Sequence, residues 1–184
     1  MARTPTVTRD QVPEKYREAF DHEVAISRNA MENGPGSVMI NSPEMRKRAN
    51  QLVFYFREES ELPQNIQEMV MIMTARAKDC QYIWFAHAAR ARQEGIPDAF
   101  VDALRDKKPL PKLDGAEQIV VDYATELFHT NRVSEATFKA ALDHFGAQLL
   151  TELTTMMGYY SMLALNGKAF EVDVPEGGEA PLVV

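Results

Sequence analysis

A carboxylate, a thiol and an imidazole lie near one another in this sequence, as Glu68, Cys80 and His87. Cys80 and His87 are seven residues apart, two turns of an α-helix, so they share one face if the segment between them is helical. Tyr82 and Trp84 flank that face, and Ile83 lies along it. At the first position of a helix, Cys80 would meet unpaired backbone amides and the positive end of the dipole, both of which stabilise a thiolate. Glu68 belongs to the preceding apolar segment. Packed back across a chain break, its carboxylate would orient the imidazole of His87 as a general base or proton shuttle. The same residue types have an ordinary reading too: a small buried hydrophobe for Cys80, a packed or surface histidine for His87, and core aromatics for Tyr82 and Trp84. Spacing alone leaves both readings open.

The elements that must position these groups follow from hydrophobic periodicity and its interruptions. Residues 1–13 read as an arm ending at Pro13. Tyr16, Phe20 and Val24 mark one apolar stripe of a helix over 14–32, and Gly34-Pro35-Gly36 breaks the chain. Ser42-Pro43-Glu44 is a helix start, with Ser at the cap, Pro at the first position and Glu at the positive dipole end. That helix runs to about Glu59 and buries Leu52, Tyr55 and Phe56. Leu62-Pro63 opens a third helix to about Ala77, in which Met69, Met71 and Met73 fill the core. Asp79 is expected to cap a further helix from Cys80 to Glu94, closed by Gly95.

Pro97–Leu104 makes a short helix, and the two prolines of 107–112 mark a loop. Asp114 caps a helix with Ile119, Val120, Tyr123 and Leu127 on one face. Ser134 caps another, carrying Phe138, Leu142 and Phe145, which Gly146 ends. A long apolar helix follows through Leu149, Leu153, Met157, Tyr160 and Leu165, and residues 172–184 read as an extended tail. No stretch alternates with period two, so the fold class is all-α, with residues 14–171 as one helical domain.

The chain has 184 residues, enough for a sizeable core, and a formal charge of −7, which argues against nucleic acid because phosphate binding needs clustered cations. The basic run Arg46-Lys47-Arg48 reads as a solvated helix face. No apolar run approaches the roughly 20 residues that span a bilayer, and Met1-Ala2-Arg3-Thr4-Pro5 lacks the apolar core of a secretory signal, so no membrane partner and a cytoplasmic location are expected. A lone cysteine allows neither an intrachain disulfide nor a metal site with two thiolates. His22, His129 and His144 have no ligand at helical spacing, and neither an H-E-x-x-H run nor a glycine-rich phosphate loop is present. Metal and cofactor are both expected to be absent.

The line Glu68-x11-Cys80-x2-Ile83-x3-His87 resembles the Glu-x11-Cys-x2-Cys-x3-His signature of the alkylhydroperoxidase-D group. Tyr82-x-Trp84-x2-His87 is similar to the Tyr-Glu-Trp-x2-His pattern of carboxymuconolactone decarboxylase relatives. The segments SPEMRKRANQLVFYFREESELPQNIQE and LLTELTTMMGYYSMLALNGKAFEVDVPEGG resemble flanking parts of the same family, so the likeness covers most of residues 38–178. It implies an alkylhydroperoxidase-D-like bundle of seven or eight helices that assembles as a homo-oligomer (dimer, trimer or hexamer) and acts on a small-molecule substrate. Carried over, Glu68 and His87 form the proton relay, Cys80 matches the resolving thiol of the peroxidases, and Tyr82 and Trp84 line the pocket with residue 83. Ile83 breaks both patterns, standing where the peroxidases have their second Cys and many decarboxylase-like members have Glu. Three functions are therefore expected: a decarboxylase-like lyase of aromatic catabolism using His87 and Glu68, a single-thiol oxidoreductase with peroxiredoxin-type activity at Cys80, or a silent ligand-binding relative.

Overall fold

The computed structural model describes residues 2–27 and 33–184, so the end of the helix expected over 14–32 lies outside the described residues. Eight α-helices and two 3-10 turns account for the regular structure, and no strand occurs among the described residues. The chain forms two compact units, one comprising residues up to Glu59 with Leu163–Gly177, the other Ser60–Met162 with Gly178–Val184.

In the first unit, 3-10 turns at Arg9–Gln11 and Glu14–Tyr16 lead into α1 (Arg17–Ile26). Val12, Phe20 and Ile40 form a buried cluster, with Val7 and Tyr16 against it. The expected stripe departs from this at Val24, which is exposed, while its neighbour Glu23 is buried completely. A carboxylate can take that place only with partners. Arg46 lies 3.3 Å away, His22 Nδ1 lies 3.1 Å away, and the Asn50 amide donates to it. Arg46 is therefore buried, where a solvated basic face was expected; of that run, Arg48 is exposed and pairs with Glu44.

The guanidinium of Arg46 also donates to Gly36 O. The Gly-Pro-Gly segment is thus helical, as α2 (Gly34–Met39), where a break was expected. Proline is accepted in a first turn because its missing N–H has no partner there in any case. In α3 (Pro43–Glu58) Ser42 holds the cap position, but its side chain makes no capping hydrogen bond. Phe56 is buried in this helix, and Leu52 and Tyr55 are half-buried. The arm is tied to residues 169–171, with Arg3 N–H donating to Phe170 O at 2.8 Å.

The second unit is built around α4 (Gln64–Ala77), whose residues from Ile66 to Ala75 are all buried. A helix buried on every side is mostly apolar, and Gln67, Glu68 and Thr74 are its buried polar members; α5 (Gln81–Gln93) and α7 (Gly115–Thr130) pack on it, as does α6 (Asp98–Arg105). The last helix, α8 (Glu135–Ala169), is continuous except at Gly146, whose φ of 70° and ψ of 170° are not helical. Tyr123 hydroxyl meets Thr154 Oγ1 at 2.9 Å, joining α7 to α8. The buried face of α8 includes Leu153, Met157 and Tyr160, but Phe138 and Leu165 of the expected stripes are exposed. Isolated apolar side chains on a surface are ordinary. Among the described residues no helix is long and apolar enough to cross a membrane.

Candidate active site

The break between α4 and α5 is a tight reversal with a defined cause. Asp79 adopts a left-handed φ of 47°. Cys80 N–H donates back to Ala75 O at 2.8 Å and Asp79 N–H to Arg76 O at 3.1 Å, the two bonds of a Schellman stop. Asp79 therefore ends α4, where a cap for α5 was expected, and Cys80 takes the cap position. Cys80 is extended (φ −99°, ψ 99°), its side chain makes no capping hydrogen bond, and its carbonyl accepts Trp84 N–H at 3.1 Å. Its own amide is spent on the stop, so Cys80 is not at the first helical position, and the residue is only 2% exposed.

From this corner α5 runs back along α4 and buries Ile83, Trp84, His87, Ala88 and Ala91, the i, i+4, i+8 pattern of one face with its flank. The reversal brings His87 against Glu68 of α4. His87 Nδ1 and Glu68 Oε2 are 2.8 Å apart, and both side chains are more than nine-tenths buried. A buried imidazole bonded through Nδ1 to a carboxylate is fixed in orientation and tautomer, and proton exchange falls to Nε2. The other oxygen, Glu68 Oε1, faces the Gln64 amide at 3.4 Å. Tyr160 of α8 packs edge-to-face on the imidazole, centroids 5.3 Å apart at 88°, and Tyr159 stacks similarly on Tyr160.

The remaining expected site residues divide. Ile83 shares the buried side of α5 with His87. Tyr82 is half-buried, and burial holds its phenol above the ordinary value, so it stays neutral and can donate. Trp84 is 1% exposed, and its indole N–H donates to Ala180 O at 2.9 Å, in the tail. All of these groups lie in the second unit. Tyr159-Tyr160-Ser161 reads from sequence as core that could also lend a phenol to a pocket, and the contact of Tyr160 with His87 could not be named until the partner helix is known. An extended tail lying over another surface was expected, but not that α5 is that surface; an indole and a glutamine on a helix otherwise meant for burial were the available signal. Among the described residues no group of three or more His, Cys, Asp and Glu is arranged to hold a metal ion.

The fold has counterparts among solved structures. One, from Ralstonia eutropha, is described as the alkylhydroperoxidase AhpD core of an uncharacterized peroxidase-related protein; the likeness has a TM-score of 0.70 at 14% identity, over 95% of this chain and 93% of that one. An uncharacterized peroxidase-related protein from a Silicibacter species gives 0.70 at 17% identity, over 95% and 92%. A protein of unknown function from Agrobacterium tumefaciens, suggested to be the antioxidant-defence protein AhpD, gives 0.66 at 15% identity, over 76% and 96%. No protein-family profile and no curated protein matches the sequence. At these identities the likeness is one of fold: the chain has the alkylhydroperoxidase-D-like helical fold.

Proposed function

We propose that this chain, built on the alkylhydroperoxidase-D-like fold, is an enzyme that moves a proton with the His87–Glu68 pair on a small carboxylated, lactone-like substrate. The observation that carries the reading is the 2.8 Å contact between His87 Nδ1 and Glu68 Oε2 in a buried setting. In a decarboxylation the bond to the carboxylate carbon breaks, carbon dioxide leaves, and the electron pair remains as an enolate. His87 Nε2–H then protonates the enolate at the carbon that carried the carboxylate, and solvent restores the proton. Glu68 stabilises the imidazolium and holds the ring, while the apolar wall that includes Ile83 disfavours a solvated carboxylate and so assists its loss. The substrate class comes from the resemblance of the Tyr82–His87 segment to decarboxylase relatives.

His87→Gln keeps a polar side chain of similar reach but cannot exchange the proton. Its turnover of carboxylated lactones is expected to fall by about 10²-fold or more with an unchanged circular dichroism spectrum. Near-normal turnover would remove His87 from the chemistry.

A second reading is favoured by the peroxidase-related description of two of the fold neighbours. In it peroxide oxidises the Cys80 thiolate to a sulfenic acid, releasing water or an alcohol, and an external thiol reduces it. Ile83 in place of a second Cys requires that reductant to come from outside the chain. Peroxide consumption should disappear in Cys80→Ser; full consumption by that variant would discard the reading.

A further inference from the structure

The segment Gly178–Val184 has no regular secondary structure, yet it is fastened along α5, mostly by side chains. The Gln81 amide grips Leu182 from both sides: its Nε2 donates to Leu182 O, and its Oε1 accepts from Leu182 N–H, each at 2.9 Å. The Trp84 indole holds Ala180 O, and Arg92 pairs with Glu179 at 3.0 Å. Arg76, in the last turn of α4, donates to Val183 O at 2.9 Å, and Val183 N–H donates to Arg105 O at 3.1 Å. Leu182 is 3% exposed between two exposed neighbours, a single apolar peg. At the near end Gly178 (φ +79°) lies so close to Phe85 that a Cβ there would stand 2.8 Å from the ring.

Two of these anchors bracket Cys80. Gln81 follows it directly and Arg76 lies four residues before it, so the segment spans the corner in which the thiol is buried. The corner and the segment are held differently. Backbone bonds of the Schellman stop lock the corner, whereas the segment hangs mostly on side-chain hydrogen bonds, one ion pair and one buried leucine, and water can replace the polar contacts. Such a segment opens locally, at a free energy well below that of global unfolding.

We infer that residues 178–184 form a releasable strap that governs access to Cys80. With the strap seated the thiol is covered; with the strap lifted, small oxidants and thiol reagents reach it, while α4 and α5 stay folded. This holds whichever reaction His87 serves.

The chain carries its own two reporters, a single cysteine beside the Gln81 anchor and a single tryptophan whose indole bonds to Ala180 of the segment. The experiment uses the whole protein and measures the rate of Cys80 alkylation by iodoacetamide together with Trp84 emission. In the unaltered protein, alkylation is expected to be nearly independent of urea below the unfolding transition. A slope equal to that of global unfolding would overturn the strap, since the thiol would then open only with the whole fold.

Gly178→Ala, which forces the segment off Phe85, and Leu182→Ala, which removes the peg, are expected to raise the alkylation rate by about tenfold or more and to red-shift Trp84 emission. A red shift without faster alkylation would show that the strap does not cover the thiol. Faster alkylation without a red shift would show another route to it. No change in either reporter, in these variants and in Leu182→Asp, would show that nothing there is released. Each of these three results overturns the inference.

Discussion

Glu68→Gln separates the two things the carboxylate does for His87. The amide keeps an oxygen that accepts from Nδ1–H at the same place, but it carries no charge to balance an imidazolium. If the pair transfers protons, kcat/KM of Glu68→Gln on carboxylated lactones should fall by about 10- to 100-fold, with secondary structure unchanged. If the pair is only a packing contact, no turnover changes and the acid–base reading fails at this residue. That Glu68 could pack back toward His87 could be suggested from sequence, but whether it reached the ring depended on the reversal between α4 and α5. The state of Cys80 could not: whether it is the first residue of the helix or its cap depends on which of Asp79 and Cys80 turns left-handed. That was decided by the backbone bonds to Ala75 and Arg76.

Helix limits were legible wherever a residue has one conformational use. Pro43 and Pro63 begin helices, and Gly95 (φ +92°) stops one. Gly146 was read as the end of one helix with another following, and there α8 kinks between two helical runs. Its φ of 70° with ψ of 170° lies in a region that is essentially open to glycine alone. Gly146→Ala should therefore lower the free energy of unfolding by about 1–3 kcal/mol in urea titrations, although space is free for a Cβ there. An unchanged midpoint would mean that the kink relaxes into plain helix without cost. The Gly-Pro-Gly segment went the other way. Its glycines suggested a break, and the short helix α2 exists where a buried arginine from α3 holds Gly36 O.

Across the whole molecule, two half-buried carboxylates are held below their ordinary values by hydrogen bonds from named partners. Hydrogen bonds from Arg105 and then Lys108 hold Asp106 down to about 2, against an ordinary 3.8. Thr137 and then Ser134 hold Glu126 below its ordinary 4.5. A carboxylate depressed in the folded state adds stability above its unfolded value, and that contribution is lost as pH falls through the folded one. Stability should decline between about pH 4 and pH 2, and Asp106→Asn should flatten part of that decline in urea titrations run across the window. An Asp106→Asn profile that overlays the parent would show the Arg105 and Lys108 contacts to be unformed in solution.

The sequence by itself determined the all-α class and the limits of most helices. Both rest on local rules: apolar period and the places that proline and glycine allow. Only the tertiary structure decided what those rules do not reach. It buried Glu23 and Arg46, because a buried charge is tolerated once its partner arrives from another helix. It set Tyr160 against His87, and it laid Leu182 and Ala180 on Gln81 and Trp84. Those contacts join residues far apart in the chain, and no periodicity records which distant surface will cover a given face.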